Sequence, residues 1–434
     1  MKNKTILLGL NELNFDYIKY YINEGFLPNF KKLLEIQSPI ETLSENEYRL
    51  LEPWIQWTTI YTGKTFLQHN IFRLGDIVDN PNLSQIFEEL EDDGLTVGAV
   101  SPFNADNRLK TPAFYIPDPW TKTHVSGNFL IKALYHAIHQ SVNDNAKSTL
   151  SIKSIIALGL GLLIYAPIPR WSHYLKTVLN IRSPGSKAVF LDSLLADIHL
   201  TLWRKYKPDF SNLFLNSGAH IQHHYLFNSK AYTGELKNPD WYCSVGFDPL
   251  INILSEYDYQ IGKVLGLKNV KLIIATGLHQ QPHKHVTFYW RLKQHDKFSE
   301  MIGIKNAIQI LPRMSRDFLI IFQNKVDTTN AEILLNSFHA SKDNLKIFEV
   351  DNRGNSLFIE LVYPNDLDDN DSIYSNLSNL KLENFKSYLA FVAIKNGEHN
   401  GKGYLTSNFD LKLDELVNLS EIKAFIKKVA TSKY

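Results

Sequence analysis

One cysteine, Cys243, stands in a chain of 434 residues, so the protein can form neither an internal disulfide nor a thiolate metal cluster. Any metal site has to be built from His, Asp, Glu or Asn. Charge of one sign is missing too. Lys plus Arg number 46 against 45 Asp plus Glu, a formal net charge of +1, which leaves no basic footprint for nucleic acid. Long apolar runs are scarce. Met1-Lys2-Asn3-Lys4 is followed only by Thr5 to Leu10 before Asn11 and Glu12, too short a core for a secretory signal, and the expected setting is cytoplasmic. The apolar stretch Ile155 to Ala166 closes at Pro167 and Pro169. It falls short of the roughly 20 residues of a spanning helix, and reads first as a buried helix of an inserted subdomain, alternatively as a peripheral membrane segment. No phosphate-cradling glycine loop and no internal repeat is present.

What remains is an ordinary globular composition, 44% hydrophobic and 21% charged, long enough for one large domain with insertions or for two to three modules. Thr5 to Gly9 reads as a strand, and the pattern of Phe15, Ile18 and Ile22 as a helix ending at Gly25. Pro28 opens a second helix to Ile36. Asn82 and Gln85 suggest an N-cap before a helix to Leu90, and Gly94 precedes a strand from Thr96 to Val100. The same grammar recurs in the strand Asn212 to Leu215, the helix Leu250 to Leu265 and the strand Lys271 to Thr276. This alternation predicts an α/β fold with a mostly parallel central sheet and helices on both faces. The expected core comprises residues 1–124, 190–315 and 379–434. Residues 125–189 are expected to form a helical cap, and 316–378 a small α+β subdomain with a Thr329/Glu332 capping box and a solvated loop from Asn365 to Ser378.

Ligands in such sheets collect beyond the carboxyl ends of the strands. Asn11 and Glu12 follow the first strand, the His220, His223 and His224 cluster follows a later one, His279 follows another, and Gly397-Glu398-His399-Asn400-Gly401 lies near the C-terminus. His220 and His224, four apart, share one helix face and suit joint coordination. His283 and His285 fit an exposed strand edge. Asn104 and Arg108 sit in a polar loop that can line the same cleft, and Trp57 offers a stacking face for a sugar or base.

The stretches ILLGLNELNFD, LPNFKKLL and WTTIYTGKTFLQHNIF, followed by GEHNGKG, resemble alkaline-phosphatase-superfamily proteins of the phosphodiesterase and nucleotide-pyrophosphatase type, relatives of the sulfatases. The resemblance covers most of the chain outside 125–189. It implies divalent metals, Zn or Mn-like, a Ser or Thr nucleophile and transfer of a phosphoryl or sulfuryl group. The family's first metal-binding Asp falls on Asn11, with Glu12 where glycine is usual. Its later Asp falls on His220 or Ala219, its Asp-His pair on Gly277-Leu278, and its nucleophile on Pro53; His399 matches directly.

The expectation is therefore a metal-dependent hydrolase or transferase acting on a small-molecule or glycan phosphate-type ester, or on a sulfate ester. Its remodelled centre would use Glu12, His220, His224, His279 and His399 as ligands, with Thr58, Thr59 or hydroxide as nucleophile, and Asn11, Trp57, Asn104 and Arg108 would hold substrate. The alternative is a catalytically inactive phosphodiesterase-like protein that binds or assembles.

Overall fold

The computed structural model describes residues 3–143, 150–313 and 316–432; the opening Met1-Lys2 of the sequence reading lies outside them. An eight-stranded sheet runs in the order Leu416–Asn418, Ile40–Leu43, Lys402–Ser407, Val270–Ala275, Lys4–Leu10, Phe210–Leu215, Val97–Val100, Phe114–Ile116. Lys4–Leu10 lies at the centre, parallel to both neighbours, with Leu7 opposite Asn212 on one side and Ile273 on the other. Only the Lys402–Ser407 strand runs against its partners. The architecture is α/β, mixed but mostly parallel.

The sheet's two faces are sorted by the period of two that strands impose. Ile6, Leu8, Leu10, Leu272 and Ile274 join one apolar cluster, while Leu7, Ile273 and Ala275 join another. On the first face lie the helices Phe15–Asn23, Pro28–Ile36, Ser186–Tyr206 and Pro249–Leu265; on the second, Pro53–Thr62, Ile86–Asp92 and Leu419–Thr431. Being covered on both sides is why strands such as Phe210–Leu215 are buried at every position.

Several local expectations change. The Ile86–Asp92 helix is capped by Gln85, whose side chain exchanges bonds with Glu88, one turn later than the Asn82 cap expected. The later capping box is absent: the N-cap of Lys325–Asn336 is Asn324, which accepts from the Asp327 amide, and Thr329 lies within the helix. The segment 365–378 is no simple solvated loop, since Leu367 and Ile373 are buried and Ile373–Ser375 is a strand. The apolar stretch is a helix, Ile152–Tyr165, but not a buried one, for Ile155, Ile156, Leu163 and Ile164 are all more than half exposed.

Two compact units result, residues 1–282 with 397–434, and residues 283–396. The second holds a four-stranded antiparallel sheet and a three-stranded one; the expected subdomain 316–378 lies within it. The site belongs to the first.

Candidate functional site

The chain leaves the central strand at Leu10, and the amides of Asn11 and Glu12 continue its pairing on either side, donating to the carbonyls of Leu215 and Thr276 at 3.0 Å each. Glu12 then turns with φ +56, a left-handed conformation that costs a side-chain-bearing residue roughly 1–2 kcal/mol. A glycine would adopt it freely. The strained turn directs a carboxylate into the molecule, where it is 3% exposed.

Two imidazoles meet it. His223, on the helix Ser217–Tyr225, places Nε2 2.9 Å from Glu12 Oε2; His399, on the strand Leu389–Asn400, places Nε2 3.1 Å from the same oxygen. The rings stand 5.1 Å apart at 70°. Burial works against the charge on Glu12, but the imidazoles of His399 and His223 outweigh it and hold the carboxyl well below the usual carboxylate range.

The surroundings fix the carboxylate's position. Gln280 donates Nε2 to Glu12 Oε2 at 2.7 Å and to the Ala219 carbonyl at 3.0 Å. Gln222 donates to the Glu12 carbonyl and accepts from the Asn14 amide. Gly397 makes the Gln280 position available, since a Cβ there would lie 2.0 Å from Gln280 Oε1. The helix carrying His223 is anchored at its start: buried Asp192 accepts from the Ser217 amide at 2.8 Å and from the Tyr257 hydroxyl at 2.6 Å. Burial raises the Asp192 pKa to about 6.

Beside this triad the polar groups are neutral. The Trp57 indole can only donate, and it donates to Asn11 Oδ1 at 2.8 Å. Asn11 Nδ2 must therefore face the other way, towards Glu12 Oε1 at 2.9 Å and Asn216 Oδ1 at 2.7 Å. Trp57 is fully buried against Gly9, where a Cβ would lie 2.6 Å from the indole ring.

Among the described residues, Glu12, His223 and His399 form the group of three whose ligand atoms lie within 4.8 Å of one another. One carboxylate and two imidazoles, half-open at His223, are a donor set suited to a single divalent cation. A second cation does not fit beside them: Asn11 and Asn216 bring uncharged amides, and the Trp57 N–H points to the very oxygen that a cation would need.

Glu12 and His399 stand together, joined by His223, which belonged to the histidine cluster but not to the expected ligand set. Its signal was one residue away: His223, not His220 or His224, reaches the Glu12 carboxylate, beside Gln222, which donates to the Glu12 carbonyl. His220 and His224 face each other, ring centroids 4.9 Å apart, and lie outside the group of three. His279 also lies outside it; its ring lies tilted against Tyr404, centroids 5.3 Å apart, and its Nδ1 is 2.8 Å from the Lys402 carbonyl.

The expected nucleophiles are buried in the helix Pro53–Thr62 and donate to the preceding turn, Thr58 to the Trp54 carbonyl and Thr59 to that of Ile55. Thr58 also accepts from Asn104, and Thr59 contacts His69, whose pKa burial lowers to about 4. Asn104 in addition accepts the Gly75 amide. Arg108 directs its guanidinium to the carbonyls of Ile77, Asn80, Pro81 and Leu83 and to Asp106, which ties down a loop. Asn11 and Trp57 bond each other.

No family model matches the chain, and no curated protein does. Among solved structures it is similar to phosphonoacetate hydrolase from Sinorhizobium meliloti 1021, at 12% identity over 99% of this chain and 96% of that one, TM-score 0.45. It is also similar to murine ectonucleotide pyrophosphatase/phosphodiesterase 5, at 12% over 99% and 96%, TM-score 0.44. A third is the alkaline phosphatase of the Antarctic bacterium TAB5, at 12% over the whole of both chains, TM-score 0.41.

Proposed function

We propose that the protein binds one divalent metal ion, Zn or Mn-like, through Glu12, His223 and His399, and hydrolyses or transfers a phosphate-type ester there. The observation that carries this is the convergence of both imidazole Nε2 atoms on one buried carboxylate oxygen, at 2.9 and 3.1 Å. His223 Nδ1 is 3.4 Å from the Gly397 carbonyl, which leaves its Nε2 turned to the Glu12 carboxylate. Such an arrangement calls for a cation between them or a proton on the ring. The ester class rests on the sequence resemblance.

A bound divalent ion would supply Lewis-acid polarisation of a phosphoryl oxygen. The chain's own contribution is positional. Gln280 and Gln222 hold Glu12 at its side chain and backbone, Asp192 fixes the helix of His223, and the ring of His223, 28% exposed, sits at the solvent side. Asn11 keeps the space beside Glu12 free of a second negative charge.

A specific observation favours a second reading, binding without turnover: both threonine hydroxyls near the family's nucleophile segment are committed to helix carbonyls. The deciding experiment pairs elemental analysis with a turnover screen over mono- and diesters, sulfate esters and phosphonates. Stoichiometric metal, with turnover lost in Glu12→Gln and His399→Ala, supports the enzyme. Metal and ligand binding with no turnover supports the binder, and a folded wild type that takes up no divalent ion removes the metal reading.

A further inference from the structure

The helix Ile152–Tyr165 turns an apolar stripe to solvent. Ile152, Ile155, Ile156, Leu160, Leu163 and Ile164 are between 45% and 76% exposed, at spacings of three and four that put them on one side. The opposite side, Ser154, Ala157, Gly161 and Tyr165, is buried; Gly161 lies so close to Leu134 that a Cβ would come within 2.4 Å of it. The helix is therefore seated in the fold by its small-residue side and presents its bulky side outwards. Exposed Ile168 leads into the helix Trp171–Leu179, where Trp171, Leu175 and Leu179 recur four apart and are 46% to 75% exposed. Scattered apolar residues on a surface need no explanation, but a stripe continued over two consecutive helices marks a docking face.

Charge identifies the occupant. Between residues 125 and 189 the sequence places Lys132, Lys147, Lys153, Lys176, Arg182 and Lys187 against one acid, Asp144, while the remaining cation of the segment, Arg170, is buried and paired with Glu256 and Asp197. Lys153, Lys176, Arg182 and Lys187 are exposed. Trp171 is the amphipathic ring that favours the interface between hydrocarbon and water, and Lys176 lies on the polar side of its helix, lining an open cavity of about 610 Å³. A second copy of the chain would bring these cations against their own kind. An anionic lipid surface complements both the apolar stripe and the charge. No helix of the described residues is long and apolar enough to cross a membrane, so the contact is a face laid on a bilayer.

We infer that the helices Ile152–Tyr165 and Trp171–Leu179 dock this protein onto the surface of an anionic lipid bilayer. The test is co-sedimentation of the full chain with vesicles of phosphatidylcholine alone or containing phosphatidylglycerol, at low and high salt. The expected result is binding to the anionic vesicles at least ten-fold stronger than to the neutral ones, weakened by salt. Ile155→Glu/Leu163→Glu removes it, and Lys153→Glu/Lys176→Glu weakens it at least ten-fold, with circular dichroism and thermal midpoint unchanged for the lysine variant. Three outcomes overturn the inference: no binding to either vesicle, equal binding to both, or a stable dimer in sedimentation that Ile155→Glu/Leu163→Glu dissociates.

Discussion

Glu12 and His399 stand 3.1 Å apart, Oε2 to Nε2, although one follows the first strand and the other ends the strand Leu389–Asn400 near the C-terminus. Glu12 is held there through a backbone conformation that disfavours any side chain, and Gln280 fixes the oxygen that His399 and His223 share.

If this oxygen is a metal ligand, Glu12→Gln, His223→Ala and His399→Ala each weaken Zn²⁺ binding at least ten-fold in calorimetric titration. Gln280→Leu removes the bond that orients the carboxylate, together with the one to the Ala219 carbonyl, and weakens affinity by about 10–100-fold. His283→Ala, in the other unit, leaves affinity unchanged. Equal affinity in wild type and Glu12→Gln would refute the assignment.

Asn11→Asp puts a second carboxylate against Glu12, at an atom that now donates to it at 2.9 Å. In chelator-treated protein this exchanges a hydrogen bond for repulsion and costs about 1–3 kcal/mol of stability in denaturant unfolding. An unchanged unfolding midpoint would show that the amide has no such part.

Arg170 forms a bidentate pair with Glu256, at 2.8 and 2.6 Å, and a bond to Asp197 at 3.2 Å, all three side chains being at most 6% exposed. Removing one buried partner strands the other's charge. Glu256→Gln is expected to cost about 3–5 kcal/mol, and a double variant with Arg170→Met less than the sum of the two single changes. Strict additivity in the double-mutant cycle would contradict the coupling.

His199 is fully buried, with Nε2 3.1 Å from the Ser211 hydroxyl, and burial lowers its pKa from 6.5 to about 3. The unfolded chain then binds more protons than the folded one between those values, so its contribution to stability is present above pH 6.5 and is lost as pH falls towards 3. The slope approaches about 1.4 kcal/mol per pH unit in mid-window. His199→Gln should flatten the stability profile in that range by this amount; a parallel profile would place the titration elsewhere.

The alternation of strand and helix was legible because it is local. Near-continuous apolar runs such as Phe210–Leu215 and the proline that opens the helix Pro28–Ile36 each act within a few residues. Caps were less so: Gln85 with Glu88 caps the helix one turn later than Asn82 was expected to, and choosing between them depends on where Ile86 has to be buried.

The exposure of Ile155 to Ile164 was illegible for a related reason. An apolar helix reads alike whether its bulky side meets a core or solvent, and the outcome here was set by Gly161 and Ala157 fitting closely against the fold.

By itself, the sequence determined that this is an α/β chain with polar residues clustered after its strands, and that a metal site would have to come from histidines and carboxylates without sulfur. Only the tertiary structure decided which of them meet. It selected His223 over its neighbours, paired His220 with His224, and turned the hydroxyls of Thr58 and Thr59 into their helix. The reason is that a strand or helix is specified by neighbours in sequence, whereas a three-residue ligand set depends on the register of parallel strands and the rotation of one helix about its axis. A shift of one residue along a helix turns a side chain by about 100°, and that is the difference between His223 and His224.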